Sequence, residues 1–206
     1  DNRYVPRDLV EKKWPFRWQA WPTAESASGD WVASTVPEGD HDIHQVFRID
    51  GTSAAAEWIR YRHLVPAAED WRRMERGPLS PTDVAQIRPQ LITDFYAYNT
   101  STTSGQDPTL QPPRRGLHWV GDLLVEGEVV VTKPQGQLLL DLVEGGKHFT
   151  ATIDLDSGQA ELSIEGSTEF KPRAATRLRG AGRYRLEFAN VNDQLLLWID
   201  GHLIQF

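Results

Sequence analysis

The chain has 206 residues, enough for one large β-sandwich or two small domains, and 39% hydrophobic against 25% charged residues excludes wholesale disorder. A net charge of −7 argues against nucleic acid and anionic lipid as partners. The absence of cysteine removes disulfides, thiol nucleophiles and cysteine-held zinc.

Residues 1–56 are irregular in pattern. Trp14, Trp18 and Trp21 recur at near-helical spacing, but Pro15 and Pro22 interrupt a long helix. We expect an extended N-terminal wrap with one turn, its aromatics laid over a core. "EWIRYRHL" alternates imperfectly, as a strand does. "VPAAEDWRRMERG" predicts a helix. Pro66 suits its first turn, Glu69 and Asp70 lie early, Arg72, Arg73 and Arg76 lie late, and Gly77 can close it. "SPTDVAQIRP" predicts a second, short helix capped by Ser80 and stopped by Pro89. "QLITDFYAYN" predicts a strand, and residues 99–117, rich in Ser, Thr and Pro, predict a long polar loop.

From His118 the pattern changes to short strands in quick succession. They are "HWVGDLLVEGEVVVT", "GQLLLDLVE", "KHFTATIDL", "QAELSIE", "GRYRLEFANV", "QLLLWID" and "HLIQF". The separators "EGG", "DSG", "ND" and "DG" suit tight hairpins, and a longer basic loop interrupts the series. The expected fold is mainly β: an antiparallel β-sandwich with one or two short helices, in a single domain over residues 1–206. Leu138, Leu140, Leu142, Phe149, Ile153, Leu162, Leu186, Phe188, Leu195, Leu197 and Ile199 form the expected core. Trp198 falls on the opposite side of its strand from Leu197; core packing is the preferred reading of it and a surface platform the alternative.

Several blocks occur together and in order: "RDL…WPFRW", "WIRYRHL", "RPQLITDFYAYNT", "HWVGDLLVEGEV", "HFTATIDLDSGQAELSI" and "GRYRLEFANVNDQLLLWIDGHLI". In this the chain resembles the large extra region of planctomycete-type signal peptidase I proteins. The part from His118 also resembles concanavalin A-like (laminin G-like) jelly rolls. The first resemblance implies an insert in a membrane-anchored parent, held on the extracytoplasmic (periplasmic) side. It implies exported proteins or envelope components as partners and contact with the membrane only through the parent chain. An insert should also have neighbouring ends, with Asp1 and Phe206 within about 20 Å of each other.

The peptidase family works with a serine followed by methionine and a general-base lysine. Here the only methionine, Met74, follows Arg73. Lys12, Lys13, Lys133, Lys147 and Lys171 lie in polar or turn-like contexts. Asp1, Asn2 and Arg3 faintly echo the family's Gly-Asp-Asn box, but Tyr4-Val5-Pro6 follows. No catalytic residue, metal ligand or cofactor is therefore assigned.

Other chemistry is possible in principle. Glu126 and Glu128 stand two apart on an expected strand, which would set their carboxylates roughly 5–7 Å apart, near the spacing of a retaining glycosidase. Asp122 is close by in sequence. A solvated strand face is the simpler reading. "DLDSG", with Asp154, Asp156 and Gly158, resembles the start of a calcium loop, but a hairpin turn is preferred. "GDHDIH" offers Asp40, His41, Asp42 and His44 for zinc, yet fits no established spacing and reads as a solvated loop. Eight tryptophans would suit a carbohydrate-binding surface or a core. Trp119 and Trp198, with Asp122, Glu126 and Glu128, are the candidate ligand-surface residues, and carbohydrate is the alternative partner.

Overall fold

A computed structural model describes residues 4–21, 31–39, 42–53, 55–92 and 120–206. The chain forms two compact units, Asp1–Ile92 and Thr93–Phe206. The fold is mainly β, with four antiparallel sheets and three short helices among the described residues.

The first unit contains strands where an irregular wrap was expected. They are β1 (Tyr4–Pro6), β2 (Trp18–Trp21), β3 (Val32–Glu38), β4 (Asp42–Arg48) and β5 (Trp58–Tyr61). One sheet runs β1-β4-β3, and β2 pairs with β5. The low pattern contrast has a cause: every described position of β4 except the exposed Arg48 is half-buried, so no clean inside-outside alternation develops. Pro37 is tolerated because β3 is an edge strand.

The helices of this unit are α1 (Arg7–Glu11), α2 (Ala68–Glu75) and α3 (Pro81–Gln86). Pro66 precedes the α2 N-cap, Ala67, rather than lying in the first turn, and the Asp70 carboxylate accepts the Ala67 N–H at 2.9 Å. Ser80 caps α3 as expected. Its hydroxyl accepts the Asp83 N–H at 3.2 Å, and Asp83 accepts the Ser80 N–H at 3.0 Å. Trp14, Leu64, Met74 and Leu79 form the buried core of the unit. Trp18 packs edge-on against Tyr61 at 5.3 Å, whereas Trp21 remains 40% exposed beneath the Arg60 guanidinium.

The second unit is a β-sandwich. One sheet runs β10-β9-β8-β7, from β7 (Gln137–Glu144), β8 (Lys147–Asp154), β9 (Gln159–Ile164) and β10 (Arg173–Ala175). The other runs β13-β12-β11-β6, from β6 (Leu123–Val131), β11 (Gly182–Val191), β12 (Gln194–Ile199) and β13 (His202–Leu203). Three two-residue turns hold both central residues at positive φ: Gly145-Gly146, Asn192-Asp193 and Asp200-Gly201. That geometry matches the twist of the strands it joins, and Gly, Asn and Asp tolerate it best.

The core between the sheets follows the alternation of the strands. Leu142, Ile153, Leu162, Leu186, Phe188, Leu197 and Ile199 are buried, and Leu138, Leu140, Phe149 and Leu195 pack against them half-buried. Strand β10 arises inside the expected basic loop, with Arg173, Ala174 and Ala175 opposite Glu161, Ala160 and Gln159. "HLIQF" is strand only at His202–Leu203. Most of the expected strand "QLITDFYAYN", the loop 99–117 and Asp1 lie outside the described residues, and Gln90–Ile92 are not strand.

Candidate functional site

Register places three of the candidate residues on one surface. Across the second sheet, Glu126 of β6 stands opposite Glu187 of β11, Glu187 opposite Trp198 of β12, and Trp198 opposite Leu203 of β13. Directly opposed residues share a face. The buried Phe188 and Leu197 form the adjacent, core-facing row. Trp198 is therefore half-buried on the outer face and is not part of the core, which corrects the preferred reading. With strands about 4.8 Å apart, Glu126 and Trp198 are separated by two strand spacings.

Glu128 lies on the same face, opposite Arg185. Both carboxylates have cationic partners. Glu126 pairs with Arg185 at 2.7 Å, and the same guanidinium reaches Glu187 at 3.0 Å. Glu128 pairs with Arg183. A retaining glycosidase needs one carboxyl group protonated and its neighbour ionised. Here each of the two glutamates is instead engaged by an arginine on the sheet surface. The face also carries the exposed Leu124 and Val130.

Asp122 lies apart from this group, just before β6, where its carboxylate accepts the Asn192 N–H at 2.9 Å and so braces the β11–β12 turn. Trp119 lies outside the described residues, as do His118, Asp40 and His41. Asp42 and His44 belong to strand β4, not to a loop. Among the described residues no group of three or more His, Asp or Glu side chains is arranged to hold a metal ion. Asp154 serves turn chemistry: its Oδ1 accepts from the Ser157 N–H at 2.8 Å and the Ser157 hydroxyl at 2.7 Å. These bonds hold its carboxyl below the usual carboxylate range.

Three polar groupings escaped the sequence reading. Asp141 accepts from the Thr150 hydroxyl at 2.8 Å and meets His148 Nδ1 at 2.6 Å, on the outer face of the first sheet. In the first unit, Tyr61 Oη and His63 Nδ1 lie 3.2 Å apart. Burial raises the Tyr61 phenol, with the nearby Arg17 opposing; burial and then Arg17 both lower the His63 imidazole. The third grouping is Arg177 with His202, at 3.3 Å. Its signal in the sequence is residues 170–186, which hold six basic and no acidic residues in an acidic chain.

The site defined here is an exposed, ion-paired sheet surface of a β-sandwich. No family model, curated protein or solved structure matches the chain. No described helix is long and apolar enough to cross a membrane.

Proposed function

We propose that this chain is a non-catalytic accessory domain of a signal peptidase I-like parent, displayed on the extracytoplasmic side of the membrane to dock exported proteins or envelope components. The resemblance of the ordered sequence blocks motivates the parent. The observation that carries the non-catalytic assignment is the pairing of Glu126 with Arg185 and of Glu128 with Arg183, which ties both candidate carboxylates into surface ion pairs. Lys13, Lys133, Lys147 and Lys171 are exposed to water, unlike a general-base lysine enclosed by apolar side chains. The concanavalin A-like character of the sandwich belongs to this proposal as well.

The test compares a signal peptidase I carrying this region with the same enzyme after its excision. Cleavage of a short signal-peptide substrate should keep its kcat, while processing of full-length preproteins should change. Loss of short-substrate cleavage would overturn the non-catalytic assignment. Unchanged processing of every preprotein would remove the docking role.

One placement favours a second reading, carbohydrate binding. Trp198 stands on the outer face in the row of Glu126 and Glu187, where a sugar ring could stack. Polysaccharide binding that disappears in Trp198→Ala with an unchanged melting curve would establish it.

A further inference from the structure

We propose that Arg177, Arg179 and His202 form a docking site for an extended acidic peptide segment at one side of the sandwich. The inference deepens the docking role above and rests on it, but not on the identity of the parent.

The charge is concentrated and, among the described residues, only partly paired. Of the six basic residues between 170 and 186, Arg173, Arg183 and Arg185 pair with Glu161, Glu128 and Glu126. Arg177 and Arg179 are exposed and meet no carboxylate among the described residues. Arg177 leans instead on an imidazole. His202 Nδ1 lies 2.9 Å from the Asp200 carbonyl and so must donate to it, which leaves Nε2 as the acceptor for Arg177 at 3.3 Å. Among the described residues, a guanidinium whose fork carries five donors is thus answered by a single imidazole nitrogen.

The loop that bears these cations is held in place before any ligand arrives. Leu178, between the two arginines, is fully buried in the sandwich core. The Thr176 N–H and hydroxyl both donate to the Gly158 carbonyl at 2.8 Å, and the Tyr184 hydroxyl donates to the Arg179 carbonyl at 3.0 Å. Gly158, at φ +72°, packs so closely that a Cβ there would lie 3.1 Å from the Arg179 Cβ. Such anchoring lowers the ordering cost of binding.

Position argues for a peptide over other polyanions. Arg177 follows β10 and His202 lies on β13, the edge strands of the two sheets on this side. The outer edge of β13 has no strand partner among the described residues, so its backbone can receive an added strand. Leu203, 42% exposed, shares the outer face with Trp198, whereas His202 turns toward Arg177. A strand alternating carboxylates with apolar residues satisfies both sides at once. Nucleic acid or a bilayer would bring many further negative charges against a chain of net charge −7.

The experiment measures fluorescence anisotropy of a short labelled peptide of alternating Glu and Val with the full chain. Controls are a Lys-for-Glu peptide, a sulfated oligosaccharide and a single-stranded oligonucleotide. The acidic peptide should bind, weaken with salt, and lose roughly tenfold or more in affinity in Arg177→Gln/Arg179→Gln, as expected when charge-assisted bonds are removed. Arg173→Gln, whose guanidinium is already paired, should change little. Arg179→Gln alone serves if the double variant melts early. Amide exchange at His202 and Leu203 should slow on binding. Absent binding, equal binding by the double variant, or preference for the oligosaccharide or oligonucleotide would overturn the proposal. None of these outcomes bears on the excision test of the parent enzyme, so the two readings fail separately.

Discussion

Asn190 Nδ2 donates to the Glu144 carboxylate at 2.5 Å, and the bond ties β11 of one sheet to β7 of the other. Asn190 is only 2% exposed, and its Oδ1 has no hydrogen-bond partner among the described residues. One orphan acceptor is tolerated; a second orphan on the same amide would add the full desolvation cost of a buried donor. Glu144→Ala should therefore destabilise the sandwich by about 1–3 kcal/mol, and Glu144→Gln, which keeps an acceptor, should cost less. Urea midpoints of the two variants rank them, and equal midpoints would remove the bond from the account.

Leu197 lies at zero exposure in the core between the sheets. Leu197→Ala should cost about 2–5 kcal/mol, as lost burial plus a cavity. A loss below about 0.5 kcal/mol, the range of surface substitutions, would contradict this packing.

The Ser80–Asp83 box should be visible by carbon-detected titration. Bonds from the Ser80 hydroxyl and backbone hold the Asp83 carboxyl below its ordinary value. Ser80→Ala should move the Asp83 titration back upward and cost about 0.5–2 kcal/mol of stability. An unmoved titration would show that the box does not persist in solution.

His63 predicts a pH dependence for the first unit. Its folded imidazole is lowered, first by burial and then by Arg17, so the unfolded chain binds a proton more readily than the folded one. The corresponding stability is complete above the unfolded value, roughly 6.5, and is lost as pH falls through the folded value. Thermal melts followed by tryptophan fluorescence should drop between neutral and mildly acid pH, and His63→Gln should flatten that drop. An equal drop in the variant would place the sensitivity elsewhere.

Much of the second unit was legible because its signals are local. The period-two rows of Leu138, Leu140 and Leu142 and of Leu195, Leu197 and Ile199 define strands with one covered side. Asn192-Asp193 and Asp200-Gly201 specify tight turns through their tolerance of positive φ. The first unit was less legible, since short, half-buried strands such as β2 and β5 show little contrast between faces.

The sequence by itself determined that this chain is mainly β, where its hairpins turn, and which residues alternate with which. Alternation names two faces of a strand but cannot say which one the opposite sheet covers. The row of Leu197 is already expected in the core; only the tertiary structure decided that Trp198, on the other side of the strand, stays outside it, because that depends on packing between strands distant in the chain. Likewise, no local pattern reveals that Arg185 stands between Glu126 and Glu187, or that Arg177 meets His202. Those pairs come from the register of β6 on β11 and from the segment after β10 reaching a residue of β13, and both are properties of the assembled sheets.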